Sequence, residues 1–99
     1  MRVLDLGCGV GLTPQKLRLP PNWQIVGADV NYAAVCAAHS SFPQRAFVCS
    51  AGETLPFLDA SFDRVICNVA LPYMDIPETL AEVYRVLNPG GLFSPACTP

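Results

Sequence analysis

A short apolar run followed by three alternating glycines constrains the fold of this chain more than any other feature of its sequence. Residues 3–6 are dense in apolar side chains and predict a buried strand. Gly7, Gly9 and Gly11 follow, and the pattern over residues 12–19 predicts a helix. Because glycine adopts positive φ and lets a backbone approach a ligand closely, this strand, turn and helix start predict a cradle for a nucleotide-like ligand.

An aspartate at the end of the next predicted strand has the spacing expected of a ribose-binding acid. Residues 24–28 predict the second strand, and Asp29 follows it, roughly 20 residues beyond the glycines. The glycine pattern is Gly-x-Gly-x-Gly, whereas a dinucleotide-binding turn has its third glycine where this chain has Leu12. A nicotinamide dehydrogenase is therefore the weaker ligand-binding interpretation, and a tight turn that binds no ligand is the structural alternative.

Strand and helix patterns alternate along the rest of the chain. Strands are predicted at residues 46–49 and 64–67 and from residue 92 onward, and helices at residues 32–40 and 76–87. Asn31 is placed to cap the first of these helices, and the second has an apolar face made of Leu80, Val83, Tyr84 and Leu87. This alternation predicts an α/β fold with a parallel sheet and helices on both faces.

Composition excludes several classes of function. The formal net charge is −2, so the chain lacks the basic footprint of a nucleic-acid-binding protein. No apolar run reaches the roughly 18 residues of a membrane span. Five widely spaced cysteines without a Cys-x-x-Cys pair favour reduced thiols in a cytoplasmic protein and give no metal site. Hydrophobic residues make up 52% of the chain, which is apolar-rich for a complete small domain.

Five motifs in order resemble those of class I S-adenosylmethionine-dependent methyltransferases, most closely the small-molecule branch that includes quinone-biosynthesis methyltransferases. The resemblance covers nearly the whole chain, from Val3 to about Phe93. Residues 3–11 are similar to the first motif and Asp29 to the acid of the second. Residues 51–57 resemble the family stretch Asp-Ala-Glu-x-Leu-Pro-Phe, residues 61–68 resemble the fourth-strand motif, and residues 85–91 resemble Arg-Val-Leu-Lys-Pro-Gly-Gly.

The resemblance implies S-adenosyl-L-methionine as cofactor, a small-molecule methyl acceptor and a Rossmann-like sheet of about four to five strands in the order 3-2-1-4-5. It implies cofactor binding by Asp5, Gly7, Gly9, Gly11, Asp29, Val30, Ala51, Gly52, Glu53 and Asn68. Ala51 stands where the family usually has an aspartate for the adenine amino group. Tyr73 and Asn68 are the candidates for acceptor contact, and no catalytic residue is identified. Asp63, at the other end of its strand, is expected to be structural.

The resemblance also implies that residues 1–99 are a single partial domain. The helix that precedes the first motif in the family and the final strands of the family sheet have no counterpart here. Two functions stay open at this point. The preferred one is an enzyme, or its remnant, that transfers a methyl group; the alternative is a non-catalytic cofactor-binding remnant or an interaction fragment. Such a fragment would self-associate through an exposed sheet edge.

Overall fold

The computed structural model describes residues 1–67 and 75–95, which form one parallel sheet with three helices. The elements in chain order are β1 (Arg2–Leu6), α1 (Thr13–Lys16), β2 (Gln24–Asp29), α2 (Tyr32–Ser41), β3 (Ala46–Cys49), β4 (Phe62–Cys67), α3 (Ile76–Val86) and β5 (Leu87–Pro95). The strand order is β3-β2-β1-β4-β5, and every neighbouring pair is parallel. The predicted α/β class and strand order are confirmed.

The core lies on the face of the sheet that α3 covers. Leu4 and Leu6 of β1 are fully buried there, and their side chains share that face because alternate residues of a strand point the same way. Val83 and Val86 of α3 pack into the same cluster. Tyr84 was expected on this inner face, but its side chain is 65% exposed, because the buried helical positions are one turn apart at Thr79, Val83 and Val86.

The opposite face of the sheet carries α1 and α2. Asn31 caps α2 as predicted, since its Oδ1 accepts a hydrogen bond from the Ala34 N–H at 3.1 Å. The prediction of a helix over residues 12–19 is too long. The helix α1 has only four residues, and Arg18 soon after it adopts a left-handed φ of 53° that cannot continue a helix.

Strand β5 begins earlier and is more irregular than its sequence predicts. The turn signature at residues 88–91 lies inside the strand, and the pairing with β4 shifts register between Phe62 and Arg64. Gly91 allows this close approach, because a Cβ on it would lie 2.9 Å from the Asn88 carbonyl oxygen and 3.0 Å from that of Asp63. Within the described ranges, no helix has the length and apolar character needed to cross a bilayer.

Candidate functional site

The loop after β1 turns sharply at the carboxyl end of the sheet. The N–H groups of Gly7 and Cys8 both donate to the Ala28 carbonyl of β2, at 2.7 and 3.1 Å. Gly7, Gly9 and Gly11 have φ angles of 77°, 54° and 92°, all in the left-handed region that favours glycine. The alternating glycines are therefore required by the backbone of the loop, which we call the glycine loop (residues 7–11).

Asp29 lies directly against the glycine loop. Its Oδ2 accepts a hydrogen bond from the Gly9 N–H at 2.8 Å, and its Oδ1 accepts one from the Asn31 N–H, also at 2.8 Å. The Ser50 N–H donates to the Asp29 carbonyl at 2.9 Å, so the residue that follows β3 joins the same edge. Residues of three strand ends thus meet at one place, as expected of a ligand-binding edge in a parallel sheet.

The glycine loop has an open front and a packed back. A Cβ added to Gly9 would meet no heavy atom of the described residues within 4 Å. On Gly11 it would lie 3.1 Å from the Phe42 ring and 3.2 Å from the Phe47 ring. Gly27 of β2 is tighter still, with Phe47 at 2.6 Å. The front of the loop can therefore receive a ligand, and the back is fixed by aromatic packing.

Asp5 is a buried carboxyl beneath the glycine loop. Asp5 is 2% exposed, and burial raises the pKa of its carboxyl from the ordinary 3.8 to about 6. A hydrogen bond from Thr13 and the charge of Arg45 oppose that rise, while the charge of Asp29 adds to it. Among the described residues its Oδ1 has no hydrogen-bond partner. Such an acceptor is costly to bury and marks a position from which a donor on a ligand would be bound.

Cys8 shares this environment but is not a reactive thiol. It is 4% exposed, and burial together with the charges of Asp5 and Asp29 raises its pKa to about 12. A thiol with so high a pKa stays protonated at neutral pH and is a poor nucleophile and metal ligand. Among the described residues there is also no group of three or more histidine, cysteine, aspartate or glutamate side chains arranged to hold a metal ion.

A turn over residues 50–54 forms the far side of the edge. The Ser50 Oγ lies 3.0 Å from the carbonyl oxygens of both Ala51 and Thr54, which share its single proton, and the Thr54 N–H donates to the Ala51 carbonyl at 3.2 Å. Gly52 is buried, and Glu53 is half-buried with its Oε2 3.5 Å from the Asp75 N–H. This turn is closed by its own hydrogen bonds, independently of any ligand.

The remaining predicted site residues divide into two groups. Val30 follows Asp29 and is 68% exposed, and Ala51 is also exposed, so both present their surfaces at the open edge. Asn68 and Tyr73 lie outside the described residues. Sequence reasoning did not identify Thr13, Gly27 or Arg45 as part of this region. No pattern in a single sequence identifies them, because each acts through contacts with residues distant along the chain.

Several known proteins are similar to this chain. The methyltransferase domain family matches residues 4–94. The chain is 37% identical over 97 residues to the malonyl-(acyl-carrier protein) O-methyltransferase of Erwinia pyrifoliae, covering 95% of this chain and 37% of that protein. It is 31% identical over 91 residues to the mitochondrial arginine-hydroxylase NDUFAF5 of Homo sapiens, covering 91% of this chain and 26% of that protein.

A solved structure also resembles this chain. The crystal structure of the YcgJ protein from Bacillus subtilis matches with a TM-score of 0.82 and 38% sequence identity, over 93% of this chain and 42% of that one. The chain therefore spans less than half the length of each of these three relatives.

Proposed function

Because this chain belongs to the methyltransferase domain family, we propose that it supplies the cofactor-binding part of an enzyme that transfers a methyl group from S-adenosyl-L-methionine to a small-molecule acceptor. One observation carries the proposal: the Asp29 carboxylate is hydrogen bonded to the Gly9 N–H, so the acid and the glycine loop form one cradle. The family match favours this function over a non-catalytic remnant. The quinone-like branch stays a prediction.

The residues present fit the cofactor. The front of the glycine loop is open at Gly9, where a Cβ would meet no heavy atom of the described residues within 4 Å. Each Asp29 oxygen accepts one hydrogen bond, which leaves lone pairs for two adjacent ribose hydroxyls. The Asp5 Oδ1, which has no hydrogen-bond partner in the described part of the chain, is an acceptor for a donor at the methionine end. When bound, the cofactor supplies an electrophilic methyl group on its sulfonium, so this chain has little bond chemistry to provide.

We propose the following division of roles among the residues at the edge. Gly7, Gly9, Gly11 and Asp5 contact the methionine and ribose side, and Asp29 binds the ribose. Val30, Ala51, Gly52 and Glu53 flank the adenine, with backbone groups of the 50–54 turn in place of the usual aspartate at Ala51. Asn68 is proposed to contact both the cofactor and the acceptor, and Tyr73 is proposed to contact the acceptor. The work of the chain is positioning and exclusion of water.

The first test measures S-adenosyl-L-methionine binding by calorimetry. Asp29→Ala should reduce affinity at least tenfold, because it removes the charged acceptor for both ribose hydroxyls. Asp29→Asn keeps one acceptor and the side-chain shape, and should fall between wild type and Asp29→Ala. Asp59→Ala is the matched control, since this aspartate is exposed and lies outside the edge. Wild-type affinity in Asp29→Ala, with an unchanged melting temperature, would mean that the cradle does not hold the ribose.

Four wider expectations belong with this proposal. Residues 1–99 act as a single unit, because one sheet joins the five strands that the structure describes. A reducing, cytoplasmic environment suits Cys36 and Cys49, which are exposed free thiols. No nucleic acid is expected as partner, given the net charge of −2. Self-association would use the outer edge of β3 or β5, the outermost strands of the described sheet. Light scattering on purified chain at increasing concentration tests the last point.

A further inference from the structure

We propose that Arg45 is a positioning residue for the glycine loop, which it holds at Gly11. Arg45 precedes β3 and is 34 residues from Gly11, so no local pattern relates the two. The consequence for cofactor binding rests on the function proposed above, whereas the effect on the loop itself does not.

The guanidinium of Arg45 is held by three contacts on one side of the sheet. Its Nη2 donates a hydrogen bond to the Gly11 carbonyl oxygen at 2.8 Å. Its central carbon lies 3.8 Å from the centroid of the Phe42 ring and 5.4 Å from that of Phe47. A planar guanidinium stacked on a ring loses little freedom when it donates, so this arrangement is well suited to hold a backbone carbonyl in place.

The same two rings also pack against Gly11. A Cβ on Gly11 would lie 3.1 Å from Phe42 and 3.2 Å from Phe47, which shows how closely the rings approach the loop. The last residue of the glycine loop is thus fixed by a hydrogen bond to its carbonyl and by aromatic packing against its α-carbon. Its N–H donates to the Cys8 carbonyl at 3.0 Å, so fixing Gly11 also fixes the bend around Gly9.

Arg45 is also the cation in the environment of Asp5. Three side chains from different segments act on this carboxyl: Thr13 of α1, Arg45 before β3 and Asp29 at the end of β2. The Cys8 thiol of the glycine loop shares the environment, and the charge of Asp5 raises its pKa. Of the three side chains that act on Asp5, Arg45 and the Thr13 hydroxyl favour its ionised form, and Asp29 disfavours it. Removal of the guanidinium charge should therefore leave more of Asp5 protonated at neutral pH.

The experiment compares Arg45→Gln with a control arginine in the same protein. Arg64→Gln is that control, because Arg64 is also half-buried, lies 5.8 Å from an aromatic ring and donates to Ser94, away from the glycine loop. Three quantities are measured: hydrogen exchange at the Gly11 amide, the Asp5 pKa by carboxyl NMR, and S-adenosyl-L-methionine affinity from pH 5 to 8.

Arg45→Gln should accelerate exchange at Gly11 at least tenfold, raise the Asp5 pKa above its wild-type value and shift the pH profile of affinity upward. Arg64→Gln should change Gly11 exchange and cofactor affinity by less than twofold and leave the Asp5 pKa at its wild-type value. Arg45→Lys keeps the charge without the planar stack, so it should keep the Asp5 pKa near wild type and serves if Arg45→Gln does not fold.

Two results would overturn the proposal: unchanged Gly11 exchange and Asp5 pKa in Arg45→Gln, or equal changes in Arg64→Gln, which would indicate general destabilisation. The Asp5 pKa distinguishes a positioning role of Arg45 from general destabilisation, because loss of an arginine that only stabilises the fold would leave this pKa unchanged. Failure of the wild-type chain to bind cofactor would instead contradict the proposed function. In that case the exchange and titration data still decide the role of Arg45.

Discussion

The two ends of the sheet hold their carboxylates in opposite ways. At the carboxyl end, Asp5 is buried, one of its oxygens has no partner among the described residues, and burial raises its pKa to about 6. At the amino end, the oxygens of Asp63 accept hydrogen bonds from the Arg2 N–H at 2.8 Å and the Asn88 amide at 2.9 Å, which lower its pKa. The first carboxyl destabilises the fold when ionised; the second stabilises it.

A cluster around one arginine shows how the amino end is held together. Arg85, at the end of α3, donates to the carbonyls of Leu55 and Phe57 at 2.9 and 2.8 Å, and to the carboxylates of Glu82 and Asp59 at 2.6 and 2.8 Å. Glu82 in turn accepts from the Leu55 N–H at 2.8 Å. Every partner in this cluster is satisfied within the chain. The comparison indicates that the amino end holds the fold together, while the carboxyl end keeps acceptors available for a ligand.

The largest effect should follow from a methyl group added at the carboxyl end. In Gly27→Ala the new Cβ would lie 2.6 Å from the Phe47 ring and 2.9 Å from the Cys8 sulfur, so both must move. We expect unfolding free energy to fall by about 3 kcal/mol, the upper part of the overpacking range, and cofactor affinity to fall at least tenfold. Urea denaturation and calorimetry measure the two losses.

Gly90→Ala is the control for Gly27→Ala on the other side of the comparison. Gly90 has a φ of 80°, and a Cβ there would meet no atom of the described chain within 4 Å. The cost is then backbone strain alone, about 1 kcal/mol, with cofactor affinity unchanged. Equal losses of affinity in the two variants would contradict the assignment of Gly27 to the ligand end.

A smaller loss, confined to stability, is expected at the amino end. Arg85→Ala should lower unfolding free energy by about 2 kcal/mol, because the hydrogen bonds to Leu55 and Phe57 are lost and Glu82 is left without its cation. Cofactor affinity of the folded variant should stay within twofold of wild type, since the 50–54 turn closes through its own hydrogen bonds. Arg85→Lys should recover less than half of the stability, because lysine lacks the planar fork. A loss of affinity without a loss of stability would reverse the distinction between the ends.

The sequence predicts the features of both ends that depend on local pattern. The strand order, the glycine loop, the Asn31 cap and the structural role of Asp63 all follow from spacing or from resemblance, and the structure agrees with them. Gly27 and Arg45 could not be predicted, because their importance comes from ring contacts with residues distant in sequence. The exposure of Tyr84 was missed because a helical apolar stripe specifies a face only to within one turn.

Replacing the buried carboxyl should raise stability, whereas Gly27→Ala, Gly90→Ala and Arg85→Ala each lower it. Asp5 binds its proton more tightly in the folded chain, with a pKa of about 6 against an ordinary 3.8, so wild-type stability falls as pH rises through that interval. Asp5→Asn should therefore stabilise the protein by about 1–2 kcal/mol above pH 6 and by little at pH 4. Cofactor affinity should nevertheless fall. Thermal melts across pH measure the gain, and a gain of equal size at pH 4 and pH 8 would rule out titration of Asp5 as its cause.

The smallest effect is expected from the matching change at the amino end, Asp63→Asn. Hydrogen bonds from Arg2 and Asn88 lower the pKa of Asp63, so its contribution to stability is present above its ordinary pKa and is lost as pH falls below about 4. Asp63 is only half-buried, and the amide retains one acceptor, so the melting temperature at pH 7 should fall by only about 1–2 °C. Wild type and variant should then converge near pH 3, and affinity for the cofactor should match wild type at neutral pH.

Because the pH dependence of Asp63→Asn relative to wild type is opposite in sign to that of Asp5→Asn, parallel melts of the two variants test the comparison directly. Slopes of the same sign would show that the two ends of the sheet hold their carboxylates alike.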